Sequence, residues 1–546
     1  MNKDEDSYAP LFIYELFFAV FLAALSLSPS FFISDFILKN YHIKINEFWS
    51  VVTIMTNTII ILFLILKYFN RHQSVWQSLK DHYLSFLLVI IFSSMIFWMM
   101  IPKAVFSIIG SCLSTLVWFF YRAPLSKSTR SIKGADLITQ PKKTTRSVTK
   151  RAIKSDAVSF AATLIPLSSE SLHFVALGTT GTGKSTAIKE LIHTSKIRGD
   201  RHIICDPDGS YFNDFGAYGD SVLNPLRENS VQWDYLAEIK NSTDHRLLAS
   251  MLIPESGRDD EWRGYARQLL SSASEKWVSL DLGSSDKFFE FLGTSSQAEM
   301  AALCDGTYAR RFFEDGNERM LGSILSTLAP FIEPFRLVSQ NHGEKFSIRE
   351  WIKHGSGSLF IPYKANELAS LKTLISTWFG LAIYESLSLD ANANNPKTWF
   401  VVDEIDAIGR IHGLKDALAR LRKYGGRVVL GFQSISQLRQ VYGDAEANTI
   451  IENCGNKLIL RCDASERGGT AEFASKLIGE HDYMSVQSSS SHTNKGDTNT
   501  SYSKQQKREM LVMASQIMQL PNLSGYLRIA GESVWRKVSF QFFEKS

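Results

Sequence analysis

The sequence predicts an α/β protein with a helical insertion, preceded by an N-terminal group of membrane-spanning helices. Three observations lead to this prediction. From about residue 157, short apolar runs alternate with segments of helical spacing, which is typical of a sheet with crossover helices. One of these runs leads into a glycine-rich stretch at residues 178–185. Nearly all the long apolar stretches lie before residue 122.

Length, charge and cysteine content narrow the class of protein. A chain of 546 residues is long enough for several domains. The formal net charge of +4 gives no global basic field, so any field that attracts a charged partner must be local. No two of the five cysteines form a C-x-x-C pair, which indicates a reducing compartment without a disulfide framework or a zinc site. Most of them lie in apolar runs and are expected to be buried thiols: Cys112, Cys205, Cys304, Cys454 and Cys462.

The first 121 residues are predicted to form a transmembrane anchor. The apolar stretches cover residues 11–33, 49–69 and 84–121. A helix over the whole third stretch would be roughly 57 Å long, against a hydrocarbon core of about 30 Å. It should therefore break at residues 102–103, which gives four spans. The main alternative is two spans, because a mid-helix acid such as Glu15 costs about 2.5–3.5 kcal/mol.

Basic residues set the expected orientation of this anchor. Residues 122–156 carry ten Lys and Arg side chains and only two acids, Asp136 and Asp156. This charge excess predicts a juxtamembrane linker and a cytoplasmic C-terminal domain, with the N-terminus on the same side. We therefore expect a multi-pass membrane protein. A contact of the linker with nucleic acid or anionic lipid is the alternative role for its charges.

The glycine-rich stretch at residues 178–185 matches a Walker A phosphate-binding loop. An apolar run precedes it and a segment of helical spacing follows it, so phosphate would lie at a helix N-terminus. Lys184 would supply a positive charge to the β- and γ-phosphates, and the Ser185 hydroxyl would be a ligand for Mg²⁺. We expect ATP and Mg²⁺ as cofactors. The predicted nucleotide-binding residues are Gly178, Thr179, Thr180, Gly181, Thr182, Gly183, Lys184, Ser185 and Thr186.

Five apolar runs are predicted to be strands of one sheet, and ligands bind beyond the carboxyl ends of such strands. They lie at residues 172–177, 202–205, 398–402, 427–432 and 457–460.

The remaining segments suggest a division of the soluble part. Strand signals vanish between about residues 245 and 340, where residues 263–280 and 317–332 show helical periodicity. We predict an all-α insertion at residues 245–340, inside a nucleotide-binding domain formed by residues 157–244 and 341–546. The polar segment at residues 483–507 is predicted to be a mobile loop.

Polar residues at two strand ends suggest catalytic roles. Asp403 and Glu404 follow an apolar strand, as in a Walker B element. Asp403 is expected to hold Mg²⁺, and Glu404 to orient and deprotonate the attacking water. Gln433 ends the next strand, where an amide can sense the γ-phosphate.

Two further assignments stay open at this stage. One of the arginines between Glu404 and Gln433 is a candidate arginine finger toward a neighbouring subunit, although a solvated helix is an equal alternative. Asp206 either supports the Mg²⁺ shell or the phosphate loop, or it caps a helix. The candidate arginines are Arg420, Arg422 and Arg427.

Taken together, the motifs resemble those of the type IV secretion coupling proteins of bacterial conjugation, the TraD/TrwB group. The resemblance covers about residues 120–540, nearly the whole cytoplasmic part. The order and spacing of many segments make it specific. These segments are residues 178–185, 198–201, 206–209, 223–225, 346–351, 403–404, 431–434, 437–438 and 441–443.

The resemblance implies a RecA-like P-loop NTPase domain with an all-α insertion domain. It also implies a membrane-anchored homo-hexamer with a central channel, in which ATP hydrolysis moves single-stranded DNA, attached to a relaxase, toward a type IV secretion channel. By the same resemblance, Arg422 and Gln433 lie near the nucleotide, and Arg461 is a weaker candidate for a contact in trans. The family usually has two membrane spans, whereas this N-terminal region holds more apolar sequence.

Two other functions share most of these features. One is an ATPase that recruits protein effectors to a secretion system without a DNA cargo. The other is a membrane DNA translocase of the FtsK/HerA kind. Stimulation of the ATPase by single-stranded DNA separates the first from a conjugative motor, and dependence of plasmid transfer on the gene separates the second.

Overall fold

A ten-stranded sheet organises the part of the chain that the structure describes. The computed structural model describes residues 131–139, 145–255, 260–391, 395–463, 469–492 and 498–543. All of these residues belong to one unit, Thr129–Ser546. The predicted membrane spans lie outside the described residues. Within those ranges, no helix is both long and apolar enough to cross a membrane.

Seventeen strands are present in the described ranges. They are β1 (Ser131–Gly134), β2 (Asp136–Thr139), β3 (Val158–Phe160), β4 (Thr163–Ile165), β5 (Phe174–Leu177), β6 (Arg201–Pro207), β7 (Ser221–Val222), β8 (Gln232–Trp233), β9 (Lys345–Phe346), β10 (Ser358–Tyr363), β11 (Thr398–Val402), β12 (Gly426–Phe432), β13 (Asn456–Ile459), β14 (Glu480–His492), β15 (Thr498–Met510), β16 (Ser524–Arg528) and β17 (Val534–Ser539).

The α-helices of the described ranges are numbered in the same way. They are α1 (Thr145–Lys154), α2 (Leu167–Glu170), α3 (Lys184–Ile197), α4 (Ser210–Phe215), α5 (Ser242–Leu252), α6 (Asp260–Ser279), α7 (Ser285–Thr294), α8 (Gln297–Leu303), α9 (Glu318–Ile332), α10 (Phe335–Ser339), α11 (Ile348–His354), α12 (Ala365–Ser388), α13 (Leu414–Arg420), α14 (Ile435–Tyr442), α15 (Asp444–Asn453), α16 (Thr470–Ile478) and α17 (Ala514–Met518).

The strand order of the main sheet is β2-β17-β16-β13-β5-β12-β11-β6-β10-β7. Neighbours from β13 to β7 are parallel, while β16 runs antiparallel to both β13 and β17. The five strands predicted from the sequence are the adjacent strands β13, β5, β12, β11 and β6. The carboxyl ends of these parallel strands therefore meet at one edge, where polar side chains can converge.

Successive side chains of the central strands pack alternately into two hydrophobic cores, one on each face of the sheet. In β5, Val175 and Leu177 pack into one apolar cluster, whereas Phe174 and Ala176 pack into the other. This alternation follows from the two-residue period of a strand. It explains why these strands are continuous apolar runs, because both faces are covered. Four of the five cysteines, Cys205, Cys304, Cys454 and Cys462, are buried as expected, and Cys112 lies outside the described residues.

Helices α5 to α10 lie between Ser242 and Ser339. The segments predicted at residues 263–280 and 317–332 are helical, as α6 and α9. The short parallel pair β8 and β9 flanks this region, with Gln232 opposite Lys345. The two ends of the helical region are therefore adjacent in the structure.

The prediction of a loop at residues 483–507 is wrong in its secondary structure for the described residues, 483–492 and 498–507. These residues belong to two paired strands, in which β14 pairs with β15 from Glu480↔Met510 to His492↔Thr498. The start of β14 also pairs with β1. A backbone ladder supplies its own hydrogen bonds, so a strand can form without the apolar alternation on which the prediction depended.

Candidate nucleotide-binding site

The glycine-rich loop joins β5 to α3, in the strand–loop–helix order that the sequence predicts. Helix α3 begins at Lys184, with Gly183 before it at a φ of 116°. A Cβ on Gly183 would lie 2.8 Å from Leu523 Cδ2, and the φ of Gly181 is 75°. Both positions therefore need glycine, one for space as well as conformation. Thr186 lies in the first turn of α3.

The Lys184 ammonium group is held inside the loop. This side chain is 6% exposed, and Nζ donates a hydrogen bond of 2.7 Å to the carbonyl oxygen of Gly178. Burial lowers the pKa of Lys184, while the charges of Asp403 and Glu404 oppose that shift. The neighbouring carboxylates thus help to keep a positive charge at the loop, where phosphate would need it.

The predicted metal ligands meet although they are far apart in the sequence. Ser185 Oγ donates a hydrogen bond of 2.5 Å to Asp403 Oδ2. Asp403 is 5% exposed, and its other oxygen, Oδ1, has no hydrogen-bond partner among the described residues. Mg²⁺ is usually bound through one or two carboxylates together with substrate phosphates. A buried carboxylate hydrogen-bonded to the loop hydroxyl fits that ion.

A chain of hydrogen bonds connects the predicted base to the phosphate loop. Gln433 Nε2 donates to Glu404 Oε1 at 2.9 Å, and Thr180 Oγ1 donates to Gln433 Oε1 at 3.0 Å. Burial is the main cause that raises the pKa of Glu404, followed by the charge of Asp403. The Gln433 hydrogen bond acts in the opposite direction. Glu404 is therefore a more basic carboxylate than an exposed one, as a general base should be.

The remaining loop residues fix the loop to the neighbouring strand ends. The Thr179 N–H donates to the carbonyl oxygen of Arg461 at 2.9 Å, and Thr182 Oγ1 donates to the Thr179 carbonyl at 2.7 Å. Arg461 therefore contacts the loop through its backbone. The Leu523 N–H donates to the Thr182 carbonyl at 2.9 Å, which brings in the turn before β16.

The structure decides the role of Asp206. Its two carboxylate oxygens accept hydrogen bonds from the Tyr211 and Phe212 N–H groups, at 2.9 and 2.8 Å. These groups lie in the first turn of α4, so Asp206 caps that helix. Burial raises the pKa of Asp206 to about 6. Helix α4 also carries Tyr211, whose hydroxyl donates a hydrogen bond of 2.8 Å to Asp403 Oδ2. The sequence analysis did not find this contact, because the two residues are 192 positions apart.

The three candidate arginines lie in different environments. Arg427 is buried, with Nε 3.4 Å from Glu170 Oε2 and its guanidinium near the Trp399 ring. It is therefore part of an internal ion pair and is unsuited to reach a neighbouring subunit. Arg420, at the end of α13, and Arg422, in the 3-10 turn Leu421–Tyr424, are exposed.

A cavity of about 590 Å³ adjoins Glu404 and Gln433. Lys372 from α12 and Asp406 also line it, and sequence reasoning found neither. Burial raises the pKa of Asp406, whose Oδ1 is buried without a hydrogen-bond partner in the described part of the chain. No local motif marks these two residues, since they meet only through the packing of α12 against the sheet. The other lining residues are Ala407, Gln437, Gln440 and Val441.

These features define a class of protein. A parallel sheet carries a glycine loop, a buried lysine and an adjacent Asp-Glu pair at the carboxyl ends of neighbouring strands, which is the arrangement of a P-loop NTPase with a RecA-like fold. The sequence profile of the type IV secretion-system coupling protein DNA-binding domain matches residues 157–541. The chain belongs to this family of coupling proteins.

Individual relatives agree with the family assignment. Coupling protein TraD of Escherichia coli K12 is 28% identical over 444 residues, which are 79% of this chain and 61% of TraD. VirD4 of Bartonella henselae is 31% identical over 103 residues, 19% of this chain and 16% of that protein. The chain therefore spans less than two thirds of the length of these curated relatives.

Solved structures of the conjugative coupling protein TrwB share the fold. The unbound monoclinic form of TrwBdeltaN70 aligns with a TM-score of 0.67 at 29% identity, over 76% of this chain and 95% of that one. TrwB in complex with ADP and Mg²⁺ aligns with a TM-score of 0.66 at the same identity and coverage.

Proposed function

We propose that this chain is a membrane-anchored ATPase that couples a relaxase–DNA complex to a type IV secretion channel and moves single-stranded DNA during conjugation. The observation that carries the proposal is the convergence of Ser185, Asp403, Glu404 and Gln433 at the Walker A loop. The family match and the TrwB complex with ADP and Mg²⁺ support nucleotide and metal binding of the same kind. The DNA-binding domain named by the family profile supports a DNA cargo.

In this proposal each residue of the site has a separate task. The loop N–H groups and Lys184 bind the phosphates, while Ser185 and Asp403 hold Mg²⁺, which offsets phosphate charge. Glu404 orients the attacking water and takes its proton, as its raised pKa favours. Gln433, bonded to both Glu404 and Thr180, lies where it can report whether a γ-phosphate is present.

The assembly and the location complete the proposal. We place the chain in the bacterial inner membrane as a homo-hexamer, with residues 1–121 as a multi-pass anchor, residues 122–156 as a basic linker and the C-terminal domain in the cytoplasm. The helical region at residues 245–340 is the proposed all-α domain. Arg422 is the proposed contact in trans, because an exposed arginine is free to reach a neighbouring subunit.

Substitution of the loop lysine tests the motor. Lys184→Ala should lower nucleotide turnover by about 10²–10³-fold, the cost typical of removing one group that stabilises transition-state charge. Plasmid transfer should be lost, while membrane insertion is retained. Lys196→Ala is the control, since Lys196 lies near the other end of the same helix and pairs with Asp220. Wild-type transfer by Lys184→Ala would refute the motor assignment.

The DNA cargo needs its own measurement. The ATPase rate of residues 122–546 should rise when single-stranded DNA is added, because a motor couples turnover to its track. An ATPase that recruits only protein effectors would show no such stimulation. A chromosomal translocase would be stimulated, but plasmid transfer would not depend on its gene.

A further inference from the structure

Tyr211 makes a buried polar contact with the proposed metal ligand. The side chain is fully buried, and its hydroxyl donates to Asp403 Oδ2 at 2.8 Å. The same oxygen accepts the Ser185 hydroxyl at 2.5 Å. Both hydrogen bonds are thus directed to one oxygen of the carboxylate, while Oδ1 has no partner within the described ranges.

The surroundings of Tyr211 hold its ring in one place. Asp206, itself fully buried at the end of β6, binds the backbone N–H groups of Tyr211 and Phe212. The ring packs in the apolar cluster that contains Phe360 and Trp399. Lys189 Nζ lies 5.5 Å from the ring centroid on the side of α3. The backbone hydrogen bond to Asp206, the apolar packing and the Lys189 contact together hold the Tyr211 ring in place. Its hydroxyl therefore cannot move with the Asp403 carboxylate if that group rotates.

We propose that Tyr211 is a positioning residue for Asp403. By bonding to Oδ2, the hydroxyl fixes the rotation of the carboxylate beside the Ser185 hydroxyl, where the Mg²⁺ that accompanies the nucleotide would be held. This inference rests on the proposed nucleotide-binding function. Residues that orient metal ligands through hydrogen bonds typically contribute about 10–100-fold in metal affinity or activity. A tyrosine that only filled the core would contribute to stability but not to the magnesium requirement.

The test compares two buried tyrosines in the full-length chain in detergent. Tyr211→Phe removes the hydroxyl and keeps the ring. Tyr363→Phe is the matched control, because Tyr363 is 3% exposed at the end of β10 and its hydroxyl has no hydrogen-bond partner among the residues described. Binding of a fluorescent ATP analogue is titrated with MgCl₂ and repeated in EDTA, and turnover is measured over the same Mg²⁺ range.

For Tyr211→Phe we expect the Mg²⁺ concentration at half-saturation to rise about 10-fold or more, in both binding and turnover. Nucleotide binding in EDTA should stay at the wild-type level, because the loop itself is unchanged. Tyr363→Phe should keep the wild-type magnesium requirement. The proposal would be overturned if Tyr211→Phe kept the wild-type magnesium requirement, or if Tyr363→Phe raised the Mg²⁺ concentration at half-saturation by the same factor.

A second variant keeps the test decisive if Tyr211→Phe does not fold. Asp206→Asn has one acceptor oxygen instead of two, so it weakens the hold on the first turn of α4 while Tyr211 keeps its hydroxyl. It should raise the magnesium requirement in the same direction but by less. No shift in Asp206→Asn would then count against the proposal. If wild-type protein shows no Mg²⁺-dependent nucleotide binding, the proposed function itself fails, which separates that result from a failure of Tyr211 alone.

Discussion

At the scale of single residues, two adjacent carboxylates have different partners and therefore different chemistry. Asp403 accepts hydrogen bonds from Ser185 and Tyr211. Glu404 accepts only the Gln433 amide in the described part of the chain, and burial together with the charge of Asp403 raises its pKa. A carboxylate held in place by two hydrogen bonds suits a metal ligand, whereas a more basic carboxylate suits proton transfer.

Glu404→Gln should separate nucleotide binding from turnover. Glutamine keeps the shape and the contact with Gln433 but cannot take a proton, so we expect ATP binding at the wild-type level and turnover lowered by about 10²–10⁴-fold. Binding is measured with a fluorescent ATP analogue and turnover by phosphate release. Glu472→Gln is the control, since Glu472 is an exposed residue paired with Lys476 on α16. Hydrolysis near the wild-type rate in Glu404→Gln would remove Glu404 from the base role.

The sequence predicted the residues of the site better than their interactions. Lys184, Ser185, Asp403, Glu404 and Gln433 follow from short motifs, because each type of chemistry requires its residue at a fixed place beside a strand. Tyr211, Lys372 and Asp406 carry no such signature. They reach the site through helices whose positions depend on tertiary packing, which periodicity does not report.

At the scale of elements, the strands that could be predicted are those whose residues form an uninterrupted apolar run. The five central strands, from β13 to β6 across the sheet, are covered on both faces and appear as apolar runs. Strand β10 is equally buried but was missed, because Pro362 and flanking polar residues interrupt its apolar run. The edge strand β2, its neighbour β17 and the β14–β15 hairpin were missed because their polar residues obscure any apolar pattern.

A buried acid on α3 links the phosphate-loop helix to the β3–β4 hairpin. Glu190 is fully buried, Oε2 accepts the Ala162 N–H at 3.0 Å, and Oε1 has no partner among the described residues. Burial raises the pKa of Glu190 to about 7. Between pH 4.5 and 7 the folded chain therefore holds a proton that the unfolded chain releases. This group stabilises the fold at low pH, and its contribution is lost as pH rises through 7.

Glu190→Gln should remove that part of the pH dependence. Glutamine can still accept the Ala162 N–H and carries no charge, so the free energy of unfolding of the variant should exceed that of wild type at pH 8 and approach it near pH 5. Urea unfolding of residues 122–546 at several pH values measures the difference. Glu472→Gln serves again as the exposed control and should give a constant difference. A Glu190→Gln curve parallel to wild type would contradict the assigned ionisation.

At the scale of the whole described unit, buried ion pairs join α5, at the start of the helical region, to α11 and α12, which follow that region in the chain. Arg349 on α11 bonds to Asp244 on α5 at 2.7 Å and lies 3.5 Å from Glu385 on α12. All three side chains are nearly inaccessible to solvent, so loss of one partner would leave an uncompensated charge. Helix α12 also carries Lys372 to the cavity beside Glu404. One helix thus packs against α5 and also lines the cavity beside Glu404.

Mixing two inactive variants tests whether Arg422 contacts the nucleotide of a neighbouring subunit in the proposed ring. In a closed ring each interface pairs one face of a subunit with a different face of its neighbour, so the nucleotide and a trans arginine would come from different chains. Arg422→Ala and Lys184→Ala proteins should each be nearly inactive. Random 1:1 mixing would pair an intact loop with an intact neighbouring arginine at about a quarter of the interfaces of such a ring. We therefore expect ATPase activity to reappear on mixing.

Steady-state phosphate release after co-expression of differently tagged chains measures this recovery. Lys423→Ala is the matched control, because Lys423 is the next exposed basic residue in the same turn and should be active without a partner. If Arg422 instead contacted the nucleotide bound by its own subunit, each site would take both groups from one chain. Every chain in the mixture lacks either Lys184 or Arg422, so activity would stay at the level of the separate variants. Absence of recovery would therefore exclude the contact in trans, and an Arg422→Ala protein as active as wild type would exclude any role for this arginine in turnover.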